Sequence, residues 1–340
     1  MHEAQGEVIR SLGYRHHLFL ADEPIPADAD IVFVQGPYGP ILPLVQQLVA
    51  RPPAERPVLV YWFQQSLNLT TLPPLRRLLE TTFSDLYRHY GGAGWLGRLA
   101  DRVAPGFAVA RGTRLSFVGD ILWLHRHNLL DVLALSSTVY ADYLARYGIS
   151  SLLVPRGYHP GYGTVLGLPR DITVVWMGKL RTRRRREKVY WLREELVRRG
   201  HTMLLFDGHE NDFIFGEART HILNRTWFVA NIFFSGPTDE LSIRYYIAAA
   251  NGAVVITEPG QNRYPFIPGK HLVECPVEQM PDTIEYYLAH PAEWQAIAGN
   301  MLHLLQTEIT LEKSIARLLA RAEAILHRRR NRNEQNTGTP

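Results

Sequence analysis

Residues 238–269 read TDELSIRYYIAAANGAVVITEPGQNRYPFIPG: an acidic turn, a short helix, a buried strand and a polar loop in immediate succession. Thr238 or Asp239 suits the N-cap of that helix, and Asn251 with Gly252 suits its end. AVVIT then has the uninterrupted apolar character of a strand covered on both faces. A helix feeding a buried strand is the repeating unit of a parallel α/β sheet, and such sheets bind ligands where strand carboxyl ends meet loops and helix N-termini. Here those places are the DEL turn and the EPGQNRYPF loop. Helix N-termini favour anions, because their first N–H groups lack intrahelical partners and the dipole adds partial positive charge.

The same alternation extends in both directions. Toward the C-terminus of the chain, ITVVWMG, TMLLFDG and FVANIFF read as further strands, separated by helices around KVYWLREELVRRG and EARTHILNRT. YYLAHPAEWQAIAGNMLHLLQ and LEKSIARLLARAEAILHRR read as closing helices. Toward the N-terminus, EAQGEVIRSLGY reads as an amphipathic helix ended by Gly13, with HHLFL a strand after it. DIVFVQ and PVLVYWF are buried strands joined through ILPLVQQLVA, and LLDVLALSS then TVYADYLARYG is strand then helix. A helical region is expected over 72–90, and Gln64, Gln65, Ser66 and Asn68 form a polar cluster at a strand's carboxyl end. Between the halves, VPRGYHPGYGTVLGLPRD is too rich in glycine and proline for a regular element. These features divide the 340 residues into an N-terminal Rossmann-like domain over 1–153, a linker over 154–170, a second domain over 171–325 and a disordered basic tail over 326–340.

Composition narrows the function classes. One cysteine, Cys275, excludes an internal disulfide and fits a reducing compartment. No apolar run reaches the ~20 residues of a membrane span, and the first residues lack a signal-peptide apolar segment. A cytoplasmic protein is expected. The net charge of +4 is unevenly placed: residues 179–188 carry +6 and residues 326–340 carry +3, which leaves the remainder at −5. An acidic body argues against a general nucleic-acid surface, while the two basic segments suit contact with the inner face of a membrane.

The run from DEL through AAANGAVVITE to YPFIPGKH, together with PRGYHPGYG (155–163), RDITVVWMGKLRTRRRR (170–186) and FGEARTHILNRTWFVANI (215–232), resembles the donor-binding half of GT-B glycosyltransferases, in the single-chain family 1 or spore-maturation-type group. The resemblance implies two Rossmann-like, doubly wound domains facing a cleft. It implies transfer of a sugar from a nucleotide-sugar donor to an acceptor (glycan, lipid or protein), with no metal and no cofactor, the nucleotide sugar being a substrate. GT-B amino-terminal domains usually begin with a strand and glycine-rich turn, and that first strand is missing ahead of Glu3. The closing helix commonly crosses back to the first domain.

Within this frame, Gly178, Lys179 and Arg181 lie where strand gives way to helix, offering a closely approaching backbone and cations for a diphosphate. Arg244 stands about one turn into the helix near Asp239. Related sequences follow that arginine, three residues later, with a glutamate for the ribose hydroxyls; here the position is Ile247. Asp239 retains the first of the pattern's two acids, and Glu258 is the candidate replacement for the second, with Tyr264 beside it in the loop after VVIT. Asn224, Arg225 and Thr226 suit a structural role in the helix-to-strand turn, and Tyr158, His159 and Tyr162 suit packing in the linker. The missing acid also favours a second reading, a binding or scaffold protein that kept the fold without catalysis. A third, an RNA or membrane-surface module built on RTRRRR and the tail, has less behind it.

Overall fold

The computed structural model describes residues 2–20, 23–36, 42–64, 75, 117–118, 120–233 and 242–337. The chain divides into two compact units, one of Gln5–Val154 with Ile315–Pro340, the other of Met1–Ala4 with Pro155–Ser314.

The first unit is built on four parallel strands, β1 (Ile31–Gly36), β2 (Val58–Phe63), β3 (Val132–Leu135) and β4 (Leu152–Leu153), in the order β1-β2-β3-β4. Every residue of β2 is buried, as a parallel strand covered on both faces requires. Helices α1 (His2–Ser11), α2 (Leu42–Ala50) and α3 (Thr138–Ala145) accompany the sheet, and residues 120–126 are also helical. Leu44, Leu48, Ile121 and Leu144 pack with Leu59, Tyr61, Phe63 and Leu133. Ser137 caps α3, its Oγ accepting from the Tyr140 amide at 3.1 Å. The HHLFL segment is not a strand: residues 14–20 are without regular structure, because Phe19 alone packs on the core while Leu18 and Leu20 face solvent. The polar cluster beyond Gln64 and all of the 72–90 region except Leu75 lie outside the described residues.

The second unit has five parallel strands, β5 (Ile172–Met177), β6 (Met203–Phe206), β7 (Thr226–Asn231), β8 (Val254–Thr257) and β9 (Val273–Glu274). Their order is β6-β5-β7-β8-β9, so the chain leaves β5 on one side and returns on the other. That reversal marks a doubly wound sheet, and the strand ends flanking it, those of β5 and β7, form a natural crevice. Helices α4 (Arg183–Arg198), α5 (Gly216–Asn224), α6 (Ile243–Ala250), α7 (Met280–Ala289) and α8 (Pro291–Thr307) connect and cover the strands. Both units are thus parallel α/β.

Four further sequence expectations change. Helix α4 begins at Arg183 rather than near Lys188, with Thr182 Oγ1 accepting from the Arg185 amide at 3.3 Å, so the arginine run forms its first turn. The single helix expected over 286–306 is interrupted: α7 ends at Ala289, and Pro291, which cannot donate a backbone hydrogen bond, opens α8.

The presumed linker, from Pro155 on, is a packed part of the second unit. Tyr162 is buried beside Tyr246, with ring centroids 6.1 Å apart. Two buried amides hold the segment: Asn224 Nδ2 donates to Thr164 O at 2.8 Å while its Oδ1 accepts from the Leu166 amide, and Asn251 Nδ2 donates to Tyr162 O at 3.2 Å. Arg170 donates to Leu223 O and Gly252 O, satisfying carbonyls where α5 and α6 end. Glycine and proline made this stretch irregular; side-chain amides supply the order that a backbone ladder would otherwise give.

The basic tail, finally, is helical as far as Thr337. Helix α9 runs from Leu311 to Thr337, contributing Leu311–Ser314 to the second unit and the rest to the first. Arg329 reaches Asp131 and Arg330 reaches Asp30 at 2.8 Å, both carboxylates lying just ahead of a strand of the first unit. Polarity alone suggested disorder, but acids distant in sequence meet these arginines. Asp131 is largely buried, also accepts from the Leu59 amide at 2.9 Å, and is pushed above the usual carboxylate range, because desolvation outweighs that amide and Arg329. A raised carboxyl pKa contributes stability that is fully present below its unfolded value and is lost as pH rises through the folded one. Arg329→Ala removes the counter-charge and extends the shift. We expect it to lower unfolding free energy by about 2 kcal/mol near pH 7.5, with a deficit that shrinks toward pH 4; urea titrations at both pH values would measure it, and a pH-independent deficit would contradict the assignment.

Candidate functional site

At the strand-order reversal, the carboxyl ends of β5 and β7 are bridged by one side chain. Arg244, in the first turn of α6, donates Nε to Met177 O at 2.5 Å and Nη1 to Asn231 Oδ1 at 3.1 Å. Ser242 caps the helix, its Oγ accepting from the Arg244 amide at 3.3 Å and from Nη1 at 3.2 Å. The guanidinium lies 4.5 Å above the Trp176 ring. Arg185, from the first turn of α4, lies 5.6 Å from the same ring, and the indole Nε1 donates to Gly178 O at 2.7 Å. A fully buried indole therefore carries two cations at the mouth of the crevice.

Gly178 closes the arrangement. Its φ is 125°, outside the range of an L side chain, and a Cβ added there would collide with Arg244 Nη2. Its amide donates to Phe206 O at 3.0 Å, so Gly178 provides clearance beside Arg244 rather than a main-chain donor. Gly178 and Arg244, both candidates from the sequence, are directly adjacent although 66 positions apart in the chain. Lys179 follows at the surface, its Nζ 5.7 Å from the Phe213 ring, and Arg181 is exposed just ahead of α4. Cations gathered at the carboxyl edge of a parallel sheet, with two helix N-termini nearby, suit a phosphate-bearing ligand.

Of the other candidates, those that are described lie elsewhere. Asp239 falls outside the described residues, as does Thr238, and the observed cap of α6 is Ser242. Glu258 follows β8 but is turned inward: one carboxylate oxygen accepts from the Phe233 amide at 2.7 Å, and Arg184 engages both. The loop after it is not open, since Arg263 is buried beneath it, donating to Glu274 Oε2 at 2.6 Å and to Glu258 O. Tyr264 is 53% exposed, its amide held by Asn262 Oδ1. Ile247 is buried in the apolar cluster with Tyr246, Met301 and Leu305. Asn224, Arg225 and Thr226 hold the turn between α5 and β7: Arg225 Nε donates to Asp171 Oδ1 at 2.8 Å, and Thr226 Oγ1 donates to Ile222 O at 2.7 Å.

Sequence reasoning missed Trp176, Asn231 and Ser242. Trp176 sits in a run that reads as core, and it is core; nothing local says that its face carries guanidinium groups. Asn231, a polar residue interrupting the apolar run FVANIFF, is the one that a pattern could have flagged.

Residues 183–320 match the family model described as glycosyl transferase-like. Among solved structures, the chain is similar to Anabaena HepE in complex with UDP-glucose, with a TM-score of 0.54 and 12% identity, covering 87% of this chain and 79% of that one. It is likewise similar to sucrose-phosphate synthase from Thermosynechococcus elongatus, with a TM-score of 0.54 and 14% identity, covering 87% of this chain and 74% of that one. A search of the curated proteins found no match.

Gly178→Ala tests the central contact. Backbone strain of this kind costs about 1–3 kcal/mol, and the methyl group additionally displaces Arg244. A double-mutant cycle with Arg244→Ala, read by urea unfolding, should show coupling, because the double variant keeps the strain but loses the collision. Additive losses would place the two residues apart.

Proposed function

From the premise that residues 183–320 form a glycosyl transferase-like region within a GT-B fold, we propose that the protein transfers a sugar from a nucleotide-sugar donor to an acceptor, a glycan, lipid or protein, without a metal ion. The observation that carries this reading is Arg244, fixed by Met177 O and Asn231 at the strand-order reversal with its Nη2 beside Gly178. When the bond from the sugar's anomeric carbon to the diphosphate breaks, negative charge grows on the departing phosphate. A cation already held in place stabilises that charge without reorganisation, the role a divalent ion fills in other transferases. Arg244 and Lys179 are assigned to the diphosphate, Arg181 to its approach, and the loop through Tyr264 to the sugar. Asp239, outside the described residues, is assigned to the donor on the strength of the sequence. No residue is assigned as base. The first unit is assigned the acceptor.

Among the described residues, no helix is long and apolar enough to cross a membrane. We place the reaction in the cytoplasm, with exposed Arg181, Arg183 and Arg186 suited to the anionic inner face of a membrane.

A second reading, a binding protein without catalysis, also has an observation behind it. Ile247 is buried in the apolar core, and Glu258, the acid that would replace the lost carboxylate, is engaged by Arg184 and the Phe233 amide. Ribose recognition by a carboxylate from either position is therefore not provided for.

Calorimetric titration with UDP-glucose, GDP-mannose and dTDP-glucose separates these cases. We expect one of them to bind, and Arg244→Ala to weaken that binding by tenfold or more, in line with about 1.5–3 kcal/mol for a hydrogen bond to a charged group. Binding accompanied by slow donor hydrolysis supports the transferase; binding without hydrolysis or transfer supports the second reading. An Arg244→Ala variant that binds like the parent would overturn the site.

A further inference from the structure

Helix α4 opens with four arginines and no acid in its first turn, where cations oppose the helix dipole. One of them meets a buried carboxylate. Arg184 engages both oxygens of Glu258, with Nη1 3.2 Å from Oε2, and Lys188 Nζ stands 3.6 Å from Oε1. The two ends of this pair also grip one peptide position: Glu258 Oε2 accepts from the Phe233 amide at 2.7 Å, and Arg184 Nη1 donates to Phe233 O at 3.1 Å. Arg263 lies 4.8 Å above the Phe233 ring. Buried ion pairs are poor stabilisers, because desolvation offsets their attraction, so their presence calls for another account.

That account lies in what Glu258 is connected to. Its amide donates to Asn231 O at 3.3 Å, and its carbonyl accepts from Thr257 Oγ1 at 3.3 Å. Thr257 Oγ1 in turn accepts from Asn231 Nδ2 at 3.0 Å and from the Tyr245 hydroxyl at 3.3 Å. Asn231 presents its remaining oxygen, Oδ1, to Arg244 Nη1. Hydrogen bonds thus tie Arg184 to the Glu258 carboxylate, and the Glu258 main chain through Thr257 and Asn231 to Arg244, so that Glu258 itself joins the two ends. Each amide and hydroxyl along it is used in one orientation: Asn231 can offer Oδ1 to Arg244 only while its Nδ2 faces Thr257.

We infer that Arg184 and Glu258 are positioning residues, which fix the ends of β7 and β8 and thereby hold Arg244 in the orientation that grips a diphosphate. This inference rests on the donor reading above and assigns Glu258 a task other than contact with sugar. In metal sites, residues that orient a ligand without touching the metal commonly change affinity by about 10–100-fold, and the same range is taken for Arg244 here.

Two measurements test it, on Glu258→Gln and Arg184→Met, with Arg184→Lys as the conservative variant. The first is the ratio of UDP to UMP affinity by calorimetry. A mispositioned Arg244 costs UDP about tenfold more than UMP, whereas general loosening weakens both alike; Arg184→Lys, which keeps Glu258 neutralised, should recover most of the ratio. The second needs no ligand. The indole resonance of Trp176, in protein labelled with 15N-tryptophan and assigned through Trp176→Phe, reports the guanidinium above it. It should shift in Glu258→Gln and Arg184→Met and return toward the parent position in Arg184→Lys. An unmoved indole signal in folded variants, or equal losses of UDP and UMP, would overturn the positioning role. Failure of the parent protein to bind UDP or any nucleotide sugar would instead overturn the donor reading, while the indole signal would still decide whether the path couples Arg184 to Trp176 and Arg244.

Discussion

The second unit depends on a single constraint: a guanidinium must be satisfied at the point where the strand order reverses. Carboxyl ends of adjacent parallel strands leave carbonyls and side chains splayed apart where the connecting helices depart to opposite faces. Arg244 fills that opening, taking Met177 O from β5 and Asn231 from β7. Its planar fork holds separate N–H donors toward both in a fixed geometry, where a lysine would bring one compact ammonium on a flexible stem. Around it the neighbouring features become necessary: glycine at 178 because a Cβ has no room, Ser242 to cap the helix that delivers the arginine, and Trp176 beneath to exclude water.

Charge is distributed differently from what the linear sequence suggests. Residues 179–188 look like one basic patch, yet helical geometry separates them. Arg183 and Arg186 face solvent, Arg184 turns to Glu258 and Arg185 to Trp176. Two of the four arginines that open the helix are therefore turned toward the body of the unit. On the closing helix, Arg329 is paired with the largely buried Asp131 and Arg330 with the exposed Asp30. This weakens the reading of either segment as an RNA module and leaves fewer arginines for a membrane face.

The loop after β8 shows how local chemistry can mislead about exposure. EPGQNRYPF is polar and rich in turn formers, and reads as an open surface loop. Its glutamate and its arginine are both buried, because acids and bases from α4 and β9 reach them. Its tyrosine remains exposed.

Sequence alone determined the class of fold and the alternation of elements. These follow from periodicity, from helix ends such as Asn251 and Gly252, and from the succession of short motifs, all of which are written within a few residues of one another. It also marked the loss of the second acid at Ile247. Only the tertiary structure decided where charges go. Glu258 and Arg184 lie 74 positions apart, and Arg244 lies 67 from Met177, so no window of the chain contains both partners. Whether a polar residue meets ligand, solvent or an opposing charge depends on which strand ends the sheet brings together, and that choice is made by the packing of the whole unit.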